Sequence, residues 1–98
     1  MNIEESYFAF ALAIEDLEKE EPDFRKKLNA SLQSLLHFRI NQLPETLQKR
    51  LEALLEKSVD LKSKEIFKTD FLSDKEIYNL IDEIEFIFDE ICKLRKRL

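Results

Sequence analysis

The chain of 98 residues contains no glycine, where average usage of about 7% would supply several. Glycine is the usual residue for φ > 0. Its absence disfavours phosphate-cradling loops, two-residue primed hairpin turns and glycine-supported nucleophile elbows together. Tryptophan is also missing, and there are only two prolines, one cysteine and one histidine. The lone Cys92 excludes an internal disulfide, has no second cysteine at metal spacing, and fits a reducing compartment. The longest uninterrupted apolar run, Tyr7 to Ile14, spans eight residues against the roughly 18 that suggest a membrane span. Acidic residues precede that run where a signal peptide would carry positive charge. The expected setting is therefore the cytoplasm, with no membrane partner.

What is present are strong helix formers. Hydrophobic residues make up 44% and charged residues 38% of the chain, and the two are interleaved, which marks a globular domain and not a disordered tail. Eight phenylalanines and two tyrosines offer large surfaces for burial. Residues 1–98 read as one α-helical domain, too short for a second core. The net charge of −5 argues against direct nucleic-acid binding, which depends on clustered Lys and Arg.

Apolar periodicity and caps divide the chain into an up-and-down bundle of four principal helices. Asn2 followed by Glu5 has the form of a capping box. Beyond it, Ile3, Tyr7, Phe10, Ile14 and Leu17 draw one stripe, widened by Phe8, Ala11 and Leu12 into a helix buried over much of its circumference. It stops between Glu18 and Glu21, where acids meet the negative end of the dipole and Pro22 follows. Pro22 fits the first turn of a second helix, with Phe24, Leu28, Leu32, Leu35 and Leu36 on one side. That helix runs to about Asn41, which suits a left-handed stop before the proline restart at Pro44. Leu47, Leu51, Leu54 and Leu55 face inward from the third helix. Residues 59–72 fit no single stripe and read as a packed connection holding a short extra helix near 61–68. The last helix, Asp74 to Arg97, has a Ser73–Glu76 capping box and a basic C-terminal end. Its repeat of Ile77, Leu80, Ile84, Ile87, Ile91, Leu94 and Leu98, flanked by Ile81 and Phe88, is wide enough for bundle packing.

No residue pattern calls for chemistry. His37 lacks a nucleophile context and the helical His–Glu spacings of metal sites, so a structural role fits it best. Asp82, Glu83 and Glu85, or Glu18 and Glu21, could meet a hard cation, but Asp82, Glu83, Asp89 and Glu90 follow the polar face opposite the seam and read as a solvated surface. Cys92 shares that side and reads as inert. The expectation is no enzyme, no cofactor and no metal.

Charge is distributed in blocks. Residues 1–22 carry a net −6 and residues 74–90 another −6, whereas residues 23–43 carry +3 and the segment Lys93 to Arg97 adds +4. Such blocks either pair oppositely charged helices within the bundle or steer a basic partner. Tyr78 and Phe86 lie off the main seam of the last helix, as Phe8 and Leu12 lie at the margin of the first. Exposed aromatics mark contact surfaces where they form a patch. The expected function is a small protein-interaction module, a homodimeric regulator or adaptor. Its partner-binding residues are expected to be Tyr78 and Phe86 as apolar anchors, with Glu83, Glu85 and Asp89 as a charged rim. The alternative is an acidic inhibitor, of the antitoxin or immunity-protein kind, that covers a basic nucleic-acid-binding protein or nuclease.

Overall fold

Capping chemistry and apolar stripes produce four helices in the computed structural model, which describes residues 3–60, 62 and 67–97: α1 (Ile3–Glu18), α2 (Phe24–Leu36), α3 (Glu45–Ser58) and α4 (Asp74–Arg97). The Ser73–Glu76 box is formed in full. The Ser73 amide donates to Glu76 Oε1 at 3.1 Å and the Glu76 amide donates to Ser73 Oγ at 3.2 Å, satisfying orphan donors at the start of α4. Asn2 lies outside the described residues.

The second helix departs from expectation at both ends. Asp23 is its N-cap, accepting from the Arg25 amide at 2.9 Å and the Lys26 amide at 3.4 Å, so Pro22 precedes the helix and does not sit in its first turn. The helix stops at Leu36 instead of near Asn41, with His37 as C-cap. The cause is tertiary: Phe38 meets Phe10 edge-on at a centroid distance of 5.9 Å, and extended Arg39 reaches Glu5 with two guanidinium nitrogens. Asn41 then lies in a 3-10 turn, Ile40–Gln42, and no described residue has positive φ. The described turns are made without left-handed residues, consistent with the lack of glycine.

Contacts fix the topology. Glu5, Phe10 and Asp16 on α1 meet Arg39, Phe38 and Ser34 in descending order, so α1 and the α2 segment run antiparallel. Glu4 and Tyr7 meet Arg95 and Phe88, which sets α4 antiparallel to α1. At the other end of the molecule Phe24 stacks on Tyr78 and Arg25 pairs with Asp74, placing the starts of α2 and α4 together. The result is the expected up-and-down bundle. Its single core cluster draws Phe10 and Ala13 from α1, Leu28, Leu32 and Leu35 from α2, Leu47, Leu51 and Leu54 from α3, and Ile77, Leu80, Ile84, Ile87 and Ile91 from α4. The heptad seam of α4 is thus consumed by packing within the chain.

The connection after α3 is pinned at its described ends. Val59 is buried and forms an isolated antiparallel bridge with Phe67, while the Lys68 amide donates to Ser58 O at 2.8 Å. A 3-10 turn, Thr69–Phe71, leads to α4. The short helix expected near 61–68 falls largely on residues outside those described. Among the described residues, no helix is long and apolar enough to cross a membrane.

A candidate protein-interaction surface on the first and last helices

The helical period of 3.6 residues separates Glu83 from Glu85 by about 200° around α4, and the structure accordingly distributes the five sequence-predicted residues over three places. Tyr78 lies at the α2 margin, half exposed and stacked on Phe24 at 4.9 Å. Glu83 and Phe86 share the α3 margin. There Arg50 donates to both Glu83 carboxylate oxygens, at 2.6 and 3.1 Å, and lays its guanidinium 4.0 Å from the Phe86 ring centroid. Glu85 and Asp89 stand on the remaining flank, beside α1. These residues do not form one continuous patch.

Four interhelical seams are closed by arginine: Arg25 with Asp74, Arg39 with Glu5, Arg50 with Glu83 and Arg95 with Glu4. Part of the blockwise charge is therefore matched within the bundle: Glu4, Glu5, Asp74 and Glu83 of the acidic blocks meet arginines. The N–H donors of Arg95 are the main cause holding the Glu4 carboxyl below its ordinary value of 4.5, opposed by desolvation and helped by the guanidinium charge. Glu76 is lowered in the same way by its hydrogen bonds with Ser73. His37 is exposed, its Nε2 lying 3.3 Å from Gln33 Nε2. Among the described residues, no group of three or more His, Cys, Asp or Glu is placed to hold a metal ion.

Two separate features mark α1: an exposed apolar ridge on its outer side and a groove shared with α4. The stripe of α1 is narrower than its sequence suggests: Phe8 and Leu12, one turn apart, remain 62% and 56% exposed. They sit on the outer side of α1 because α2 and α4 cover only the faces bearing Ser6, Phe10 and Ala13 and, in part, Tyr7 and Ile14. Tyr7 joins this ridge to α4, with its ring centroid 5.7 Å from that of Phe8 and 5.7 Å from that of Phe88. Beyond Phe88 lies a groove of about 340 Å³, lined by Ile14, Leu17 and Glu18 from α1 and by Ile81, Glu85, Phe88 and Asp89 from α4. None of Glu18, Glu85 and Asp89 forms an ion pair among the described residues.

The sequence pattern names Glu85 and Asp89 as partner-binding residues and places Phe8 and Leu12 at the margin of the first helix without assigning them to a partner. The available signal was the i, i+4 pair Phe8 and Leu12 lying off the main stripe. No protein family, curated protein or solved structure matches the chain.

Proposed function

We propose that this protein is a protein-interaction module that performs no chemistry of its own and binds another protein through the outer side of α1. The observation that carries the reading is the exposure of Phe8 and Leu12, at 62% and 56%, one turn apart on a single helix; of the other exposed large apolar residues, Tyr78 is stacked on Phe24, Phe86 is covered by Arg50, and Phe71 stands alone in the 3-10 turn before α4. Two large apolar side chains one turn apart, with the Tyr7 ring against Phe8, supply the central anchor that recognition surfaces use. The neighbouring α1–α4 groove is edged by Glu18, Glu85 and Asp89. A second copy meeting that groove through a two-fold contact would set acid against acid, so the charge there favours a basic partner over a homodimer. The acidic-inhibitor reading is one form of the same activity.

The test compares the full chain with its Phe8→Asp/Leu12→Asp variant. Both positions are more than half exposed, so the variant should keep its helicity and lose no more than about 0.5 kcal/mol per site. Affinity capture from the native cells should retain a protein with the parent chain and lose it with the variant. Identical capture by both chains would overturn the reading, and light scattering of the parent would show whether the species lost is a second copy.

A further inference from the structure

The groove between α1 and α4 has a specific chemistry. Its floor is apolar, from Ile14, Leu17, Ile81 and Phe88, and its edges carry Glu18 on one side and Glu85 with Asp89 on the other. At four other places in the bundle a carboxylate is met by an arginine from another element. At this groove the carboxylates have no such partner among the described residues. The backbone on both sides is helical, with its main-chain groups satisfied internally, so strand addition is closed to a ligand. A furrow between two antiparallel helices accepts the ridge of a third helix. From Ile81 to Asp89 the α4 edge rises about 12 Å, or roughly two helical turns.

We infer that the α1–α4 groove docks a basic amphipathic helix of a partner protein, its apolar side chains at i and i+4 entering the floor and its Lys or Arg residues meeting Glu18, Glu85 and Asp89. This assignment rests on the interaction-module reading and adds the partner's chemistry to it. A helix with one apolar stripe and basic flanks matches both features of the groove, whereas a neutral or acidic helix would leave the carboxylates desolvated without a counter-charge. The field of the rim acts over a Debye length of roughly 8 Å at physiological salt, so recognition is salt-dependent and expressed chiefly in the association rate.

The experiment presents the full-length protein with a displayed library of amphipathic helices of about four turns, their apolar stripe fixed and their polar positions randomised between Lys and Glu. Selected helices should be rich in Lys. A purified selected helix should associate roughly tenfold to a hundredfold more slowly with the Glu18→Lys/Glu85→Lys/Asp89→Lys variant than with the parent. A control, Glu45→Lys/Glu52→Lys/Glu56→Lys, makes the same change in net charge at exposed positions on α3, which does not line the groove, and should retain most of the parent's rate. Recovery of no helix, recovery of helices without a Lys bias, or equal loss in both triple variants would each overturn the groove assignment. The module reading would stand in those cases if partner capture still depended on Phe8 and Leu12, and both would fall if it did not.

Discussion

Arginine geometry decides how individual residues of this bundle hold its seams. Arg95 binds both Glu4 oxygens, at 2.8 and 3.2 Å, while its guanidinium lies 4.1 Å from the Tyr7 ring centroid. A lysine could supply the charge but neither the fork nor the flat stacking face. Because this pairing lowers the Glu4 pKa in the folded state, its stabilisation is fully present above the unfolded carboxylate value of 4.5 and is lost as pH falls through the folded pKa. Glu4→Gln should therefore lower the urea midpoint at neutral pH and have progressively less effect in acid. A midpoint difference that grows on acidification would contradict this assignment. Thr69 is a second residue-scale anchor: its hydroxyl donates to Asn29 Oδ1 at 2.8 Å, and its carbonyl accepts from Arg25, which also pairs with Asp74. Thr69 is 1% exposed, so Thr69→Val keeps its shape but strips Asn29 of a donor, and chemical denaturation should show a loss of about 1–3 kcal/mol.

Among the elements, α4 organises the molecule. It touches all three other helices and presents five fully or nearly buried aliphatic residues along one seam. Ile84 is fully buried at the middle of that seam, so Ile84→Ala should cost about 2–5 kcal/mol, the range for truncating a packed aliphatic side chain. Ser73→Ala removes the cap and should cost about 1 kcal/mol, with amide exchange accelerating first in the opening turn of α4. Uniform exchange along the helix would show that the cap does not hold that turn. This helix was legible from sequence because both its capping box and its repeat are local patterns. The end of α2 was not: Phe38 and Arg39 leave the helix to reach Phe10 and Glu5, residues far away in sequence. Propensity cannot register such contacts, and they override a run that could have continued. The exposure of Phe8 and Leu12 was hidden for a related reason. Periodicity identifies which residues share a face, while the width of that face depends on how many neighbours cover it.

The whole molecule ties its seams with four arginine–carboxylate pairs and gathers its main apolar stripes in one core. The exposed outer side of α1 and the acidic groove between α1 and α4 depart from that pattern. Blocks of charge were visible in the sequence, but their partition was not, because pairing depends on which helices become neighbours. Glu83 and Glu85, two residues apart, illustrate the point: one is held by Arg50 and the other edges the groove. The central claim is that α1 presents a recognition surface, and the most direct measurement is site-specific photo-crosslinking in the native cells. A crosslinker at position 12 on the exposed ridge is compared with one at position 56, which is exposed on α3. The account predicts a discrete adduct to one basic protein from position 12 and none from position 56. The same adducts from both positions, or no adduct from position 12, would contradict it.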